Sequence, residues 1–393
     1  MLVAIFAIAV SHGMMARPLE SETPRNSRHA NSNVIKQRMI STKVIRSEMQ
    51  KRNISSELQI PATREKASVV VAVIDTGFDS QHRRLKPHRW LNRGESGWDS
   101  LGQNKSSNGL DDDGNGYVDD TTGFDFVERE SGVILDTHGH GTHIAGIVAE
   151  HAPKAQLMNL KYFDRTIDGI AALRNSIEAM KYAIAMEADI INYSGGGVVP
   201  SREELAVLEE ASRKGILVVA AAGNEGSNSE RQPFYPANYK LTNILSVTAI
   251  DSLGAAILPT SNFGTRSVAV AAPGKDVLST LPGNRFGVMT GTSQATAFAT
   301  AAAANIIIES RNRGEEVSPE EIIERIVISS RVAPNLNGKT RLGSKLEARR
   351  ALAFRSETKT KKAENEKNQF LKAFEAELLR SESQALVNPL ANR

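Results

Sequence analysis

Six short apolar runs lie in the middle of the chain, and the first of them is VVVAVI at residues 69–74. Runs of this kind are typical of strands that are buried on both faces, as in parallel sheets. The sequence therefore predicts a strand at each of them. The other five runs are QLMNLK at 156–161, DIIN at 189–192, ILVVAA at 216–221, ILSVT at 244–248 and VAVA at 268–271.

Helical patterns lie between several of these runs. Asp168 is placed to cap a helix that extends to about Met186. The segments SREE at 201–204 and SPEE at 318–321 have the capping-box pattern of a helix start. Because strands alternate with helices, the sequence predicts an α/β fold with a mostly parallel, twisted sheet and helices on both faces.

The first 16 residues contain an apolar run, residues 2–10, that is bounded by Ser11 and His12. It is much shorter than the roughly 20 residues needed to cross a bilayer. The run and the small residue Ala16 favour a signal peptide, so we expect a secreted or periplasmic protein. A buried N-terminal strand is the alternative. No run elsewhere in the sequence is long enough to span a membrane either.

Composition shifts divide the rest of the chain into three parts. Residues 17–66 are polar and basic, which predicts a leader or a short pro-segment, and residues 67–353 form the predicted main domain. Residues 354–393 contain a charged linker, after which Phe370, Phe374 and Leu378 recur at i+4 spacing. This spacing predicts an amphipathic helix, which packs on the main domain or serves docking or oligomerisation.

Composition and charge exclude several classes of function. The 393 residues carry a formal net charge of +3, and there is no basic stripe with interleaved aromatic residues. We therefore expect no nucleic-acid partner. The chain has no cysteine, which excludes disulfides, thiolate catalysis, cysteine-based zinc sites and a lipoprotein anchor.

Four polar segments are candidates for chemistry. Asp75 follows the first predicted strand, where ligands bind in open α/β sheets. The segment DTHGHGTH at 136–143 contains three histidines, but it lacks the glutamate and the spacing of a zinc helix, so we expect a general base instead. Ser293 stands at a glycine-to-helix junction, and Asn224 lies in a glycine-rich loop. Taken singly, each also fits a plain helix cap or turn.

Together these segments resemble the subtilisin-like serine proteases, the subtilases of the peptidase S8 family. The order of Asp75, His140, Asn224 and Ser293 is the subtilisin order. The resemblance extends over about residues 67–353. The motifs that carry it are DTG at 75–77, HGTHIAG at 140–146, INYSGG at 191–196, SNFG at 261–264, VAAPG at 270–274 and GTS at 291–293.

The resemblance implies a three-layer subtilisin-like fold and an endopeptidase that needs no cofactor for its chemistry. It implies that Ser293 is the nucleophile, that His140 is the general base and that Asp75 orients His140. It also implies that Asn224 and the backbone N–H of Ser293 bind the oxyanion. Protein or peptide substrates follow from these roles.

The resemblance also implies where substrate binds. An extended peptide is expected to pair with Ser194, Gly195 and Gly196. The segment FYPAN at 234–238, which begins with Phe234, resembles the floor of the first specificity pocket. A phenylalanine there predicts a shallow pocket that favours small side chains.

Two residues depart from the family pattern after the serine. Gln294 and Ala297 stand where relatives usually have Met and Pro. A catalytically silent, subtilase-fold protein that binds peptides or partners is therefore the alternative function. An esterase or lipase is disfavoured, because Ser293 is not in a Gly-x-Ser-x-Gly motif.

An acidic loop at residues 108–120 suggests a structural calcium ion. Its spacing of oxygen ligands matches the first half of an EF-hand loop. Thr122 stands where that loop has its glutamate, and Asp119 or Asp120 is expected to substitute. A solvated acidic turn is the alternative, and a calcium-dependent surface interaction protein is a further rival function. The predicted ligands are Asp111, Asp113, Asn115 and Asp119.

Overall fold

A computed structural model describes residues 68–251 and 256–354, together with the backbone of the short strand β1 (Arg17–Pro18). The predicted signal peptide, nearly all of the predicted leader and the predicted C-terminal helix lie outside the described residues. No helix of the described part is both long and apolar enough to cross a membrane.

The described residues form strands and helices in alternation. The strands after β1 are β2 (Val69–Asp75), β3 (Gly123–Asp125), β4 (Ala155–Lys161), β5 (Ile190–Tyr193), β6 (Leu217–Ala221), β7 (Ile244–Ile250), β8 (Val270–Pro273), β9 (Val277–Leu281), β10 (Arg285–Met289), β11 (Arg331–Val332) and β12 (Ser344–Lys345). The helices are α1 (His140–His151), α2 (Gly169–Ala185), α3 (Arg202–Arg213), α4 (Thr292–Asn312), α5 (Pro319–Ser329) and α6 (Ala348–Ala353).

Nine strands form the main sheet in the order β11-β12-β8-β7-β6-β5-β2-β4-β3. All neighbours from β12 to β3 are parallel, and only β11 is antiparallel to its neighbour. The mostly parallel sheet is the predicted one. A smaller antiparallel sheet has the order β1-β10-β9.

Alternate residues of β2 face opposite sides of the sheet and belong to different hydrophobic clusters. Val71 lies in a cluster with residues of α1, α4 and α5, whereas Ala72 lies in a cluster with residues of α2 and α3. Both sets are fully buried, as expected for a strand of a parallel sheet. The core therefore has two layers, and helices cover both faces as predicted.

The helix starts follow the predicted capping signals. The side chain of Asp168 accepts a hydrogen bond from the Ala171 N–H at the start of α2. At α5, Ser318 and Glu321 form a reciprocal capping box. At α3 the Ser201 hydroxyl accepts from the Glu204 N–H, but the Glu204 side chain is buried beside Tyr239 instead of completing the box.

Candidate active site

Asp75 is the last residue of β2, and its carboxylate is held from two sides. Its Oδ1 accepts a hydrogen bond from the Thr76 N–H at 2.8 Å and lies 2.6 Å from Nδ1 of His140. The side chain is buried. A carboxylate fixed in this way orients the imidazole and selects the tautomer with its proton on Nδ1.

His140 is the first residue of α1. The preceding Gly139 has φ 86°, a left-handed conformation that favours glycine. Burial by itself lowers the pKa of His140, but the charge and hydrogen bond of Asp75, together with the charge of Asp136, outweigh burial and raise it. Because Nδ1 faces Asp75, Nε2 is the nitrogen that is available to exchange a proton with substrate or nucleophile.

Ser293 is the second residue of α4, a buried helix start. Its Oγ donates a hydrogen bond to the Ser194 carbonyl at 3.3 Å. The structure therefore places the predicted nucleophile against the predicted substrate-binding segment. At a helix N-terminus the backbone N–H groups and the helix dipole favour negative charge.

Asn224 lies in the loop after β6 and contacts the same helix start. Its Oδ1 accepts from the N–H of Thr292 at 3.0 Å and from Oγ1 of Thr292 at 3.1 Å. With Oδ1 engaged, Nδ2 is the donor that this side chain can direct at a developing oxyanion.

The predicted substrate segment runs beside the predicted pocket floor. Gly197 pairs in an isolated antiparallel bridge with Tyr235. A Cβ atom at Gly196 would lie 2.6 Å from Cε1 of Phe234, and a Cβ atom at Gly223 would lie 2.9 Å from its Cγ. The buried Phe234 ring therefore fills the space between these two glycines.

Gly195 is similarly constrained. A Cβ atom there would lie 2.0 Å from the Tyr162 hydroxyl oxygen. Side chains larger than hydrogen are thus excluded at Gly195 and Gly196, where the backbone lies close to its neighbours.

The two departures from the family pattern are both buried in α4. Gln294 is 2% exposed and Ala297 is fully buried. Ala297 belongs to the large hydrophobic cluster beneath the sheet. These positions pack within the fold and do not disturb the contact between Asp75 and His140.

The other two histidines of the sequence motif have different surroundings. Nε2 of His143 is hydrogen-bonded to the Val277 carbonyl at 2.9 Å, and burial lowers the pKa of His143 to about 4. The ring of His138 meets that of His140 edge to face. In the described ranges, the one group of three ligating side chains close enough to hold a metal ion contains no histidine.

That group is acidic and only partly matches the predicted calcium ligands. Ligand atoms of Glu95, Asp113 and Asp120 lie within 4.8 Å of one another. The predicted ligand Asp111 is not in this group. Its oxygens accept hydrogen bonds from the N–H groups of residues 114, 115 and 116. Asp119 instead accepts from the Gly109 N–H.

Asn115 contacts this acidic group through its amide nitrogen and not through its oxygen. Its Nδ2 donates to Asp120 at 3.0 Å, while its Oδ1 accepts from the Tyr117 N–H. Nδ2 of Asn92 donates to both Asp113 and Asp120, and the Tyr182 hydroxyl also donates to Asp120.

Glu95 is the feature of this group that sequence reasoning missed. It is fully buried, and its Oε1 accepts from the Asp112 N–H at 2.7 Å. Its Oε2 is buried with no hydrogen-bond partner in the described structure. Burial, reinforced by the charges of Asp120 and Asp113, raises the pKa of Glu95. The only signal in the sequence was an acidic residue shortly before the acidic loop.

Comparison with known proteins identifies the family. The model of the subtilase family matches residues 66–367. The chain is 31% identical over 273 residues to the major intracellular serine protease of Bacillus subtilis (strain 168), covering 66% of this chain and 75% of that protein. It is 33% identical over 266 residues to subtilisin E of the same strain, covering 64% of this chain and 60% of the relative.

Solved structures show the same fold. The crystal structure of a lanthipeptide protease matches with a TM-score of 0.57 at 23% identity, covering 74% of this chain and 89% of that one. The self-cleaved protease domain of PatA matches with a TM-score of 0.54 at 22% identity, covering 74% and 97%. The chain therefore belongs to the subtilase family and is a serine endopeptidase.

Proposed function

We propose that Ser293, His140 and Asp75 hydrolyse peptide bonds through an acyl-enzyme. Ser293 Oγ attacks the scissile carbonyl carbon as His140 Nε2 takes its proton. His140 then gives this proton to the leaving amine, and water releases the acyl group by the same steps. The observation that supports this assignment most strongly is the 2.6 Å contact between Asp75 Oδ1 and His140 Nδ1.

The oxyanion of each tetrahedral intermediate would form next to Asn224. Its Nδ2 and the backbone N–H of Ser293 are the proposed donors. The bonds from Thr292 to Oδ1 hold the amide before substrate arrives, so no reorganisation is needed when charge develops.

An extended polypeptide is the proposed substrate form. Ser194, Gly195 and Gly196 offer backbone groups for strand pairing, which binds many sequences alike. The Phe234 ring between Gly196 and Gly223 supports a shallow first pocket. We therefore propose cleavage after small residues such as alanine.

Casein hydrolysis tests the function. Purified wild-type protein should release peptides from casein, whereas Ser293→Ala and His140→Ala should lose about 10⁴-fold or more of the activity. If either variant hydrolyses casein at the wild-type rate, the catalytic assignment is wrong. If the folded wild type cuts nothing, the silent binding protein becomes the better account.

A calcium ion is proposed as a structural element, with Glu95, Asp113 and Asp120 as its ligands. Calcium prefers carboxylate oxygens. Three carboxylates that lie this close repel one another, and the buried Glu95 Oε2 has no other described partner. A divalent cation would satisfy this oxygen and neutralise the repulsion.

We also propose that the enzyme acts outside the cytoplasm. The apolar run at residues 2–10 supports this proposal. The relatives do not, because one of them is named an intracellular protease. Expression in a bacterial host and fractionation should recover protein lacking the first 16 residues or so from the medium or periplasm. Full-length protein retained in the cytoplasm would contradict the proposal.

A further inference from the structure

A second buried carboxylate lies beside the proposed triad. Asp136 precedes α1 and is 8% exposed. Both of its oxygens accept hydrogen bonds from residues around His140 and from the turn after β2. The donors are His138 N–H at 3.1 Å, Gly139 N–H at 2.7 Å and Thr76 Oγ1 at 2.9 Å to Oδ1, and Thr142 N–H at 2.9 Å and Thr142 Oγ1 at 2.6 Å to Oδ2.

Thr76 links this carboxylate to the triad. Its N–H donates to Asp75 Oδ1 at 2.8 Å, and its Oγ1 donates to Asp136. The same Oγ1 accepts from the N–H of Gly141, the residue after His140, at 2.9 Å. The end of β2, which carries Asp75, and the helix start that carries His140 are therefore joined through the hydroxyl of Thr76.

The surroundings of Asp136 fit an ionised carboxylate. Burial raises the pKa of Asp136, but three backbone N–H groups and two hydroxyls point at its oxygens. An N–H group can only donate, so these contacts favour the charged form. The negative charge then lies close to the imidazole of His140, and it raises the pKa of His140 together with Asp75.

We propose that Asp136 is a positioning residue for catalysis, which fixes His140 against Asp75 through Thr76 and stabilises the imidazolium formed during the reaction. This inference rests on the proposed role of His140 as the general base. Neither the family motif nor the sequence pattern assigned a task to Asp136.

Among the described residues, four ionisable groups interact electrostatically with His140. Asp75 on β2 and Asp136 before α1 favour the imidazolium. His138 and His143 disfavour it whenever they are protonated, since like charges repel. Burial lowers the pKa of both histidines, to about 4 for His143, so near neutral pH the two carboxylates dominate the titration of His140.

NMR titration of the His140 imidazole tests the electrostatic part of the proposal. It uses the Ser293→Ala protein, which avoids self-digestion, with and without Asp136→Asn. The exchange removes one nearby negative charge with little change of shape, so the pKa of His140 should fall by roughly one unit. Asp168→Asn, which removes a carboxylate at the N-cap of α2, should leave this pKa unchanged.

Kinetics test the positioning part. With Ser293 intact, Asp136→Asn should lower kcat roughly tenfold with little change in KM, because a charged hydrogen-bond acceptor near the base is lost. The acid limb of the rate profile should move to lower pH along with the pKa of His140. A structural role alone would lower the unfolding midpoint without moving this limb.

Thr76 provides a second pair of variants in case Asp136→Asn does not fold. Thr76→Val removes the hydroxyl link and should lower kcat, while Thr76→Ser keeps the hydroxyl and should recover most of the loss. Equal activity of the two, or an unchanged pKa of His140 in Asp136→Asn, would overturn the inference. The proposed function fails separately, if His140→Ala still hydrolyses casein.

Discussion

Thr292 donates two hydrogen bonds, from its N–H and from its Oγ1, to the same amide oxygen of Asn224. Thr292 directly precedes Ser293 in α4. The proposed oxyanion donor and the proposed nucleophile are therefore fixed to the same helix start, although Asn224 comes from the loop after β6. This coupling makes the geometry of the oxyanion site a property of the fold rather than of a mobile side chain.

Asn224→Leu should lower kcat by about 10²–10³, the range known for the side-chain oxyanion donor of subtilisin, and leave KM nearly unchanged. The donor acts on charge that exists only in the transition state, so substrate binding should not suffer. Steady-state kinetics on a peptide anilide measure both constants. A rise in KM at constant kcat would show that Asn224 binds substrate instead.

Phe234→Ala should open the first specificity pocket. The wild-type enzyme should prefer alanine over phenylalanine before the scissile bond, since the ring fills the space between Gly196 and Gly223. The variant should shift the ratio of kcat/KM for phenylalanine against alanine by roughly tenfold or more. Phe298 lies on α4 and contacts the His151 ring. Phe298→Leu is the control and should leave this ratio unchanged. Equal wild-type cleavage after both residues would contradict a shallow pocket.

Terbium luminescence distinguishes the two sets of proposed calcium ligands. Tyr182, which donates to Asp120, is placed to sensitise a bound terbium ion. Glu95→Gln should abolish the signal and the calcium-dependent rise in the unfolding temperature. Asp119→Asn should retain both, because this residue lies outside the acidic group. If Asp119→Asn abolishes the signal and Glu95→Gln retains it, the ligands expected from the EF-hand pattern are the correct ones. If the wild-type protein gives no signal, the segment is a solvated acidic loop without a bound ion.

Glu204 should make stability depend on pH. Burial raises the pKa of Glu204 to about 7 from its ordinary 4.5. Since the folded state holds this proton more tightly, the contribution of Glu204 to stability is fully present below about pH 4.5 and is lost as pH rises through 7. A neutral residue in place of Glu204 should therefore abolish this loss of stability at high pH.

Urea unfolding of the Ser293→Ala protein measures this effect. Added Glu204→Gln should raise the free energy of unfolding at pH 8 by roughly 2–3 kcal/mol, with a much smaller change at pH 5. The exposed neighbour in Glu203→Gln should change neither value appreciably. The same difference at both pH values would show that Glu204 does not titrate as proposed.

The sequence predicted the sheet because its strands are fully buried. Residues 69–74 alternate between two hydrophobic clusters, so both faces needed apolar side chains and the pattern became a continuous run. Strand ends were less certain. The strand predicted at 268–271 is observed at Val270–Pro273, because hydrogen bonding to β7, rather than hydrophobicity, sets its limits.

The residues of the proposed active site were predicted from motifs, but their contacts were not. The Asp75–His140 bond joins residues from β2 and α1, and only the fold brings them together. Glu95 escaped prediction because it meets Asp113 and Asp120 through loop closure, which leaves no periodic pattern. Asp136 lay within the histidine motif, where its five hydrogen bonds have no trace in the sequence.

Labelling with a fluorophosphonate tests the central claim most directly, because the reagent forms a stable adduct only with an activated serine. Intact-mass and peptide mapping of the wild-type protein should find one adduct, on the peptide that contains Ser293. His140→Ala should label at least about 10³-fold more slowly, since the general base is gone. An adduct on another residue, or equally fast labelling without His140, would contradict the proposed catalytic centre.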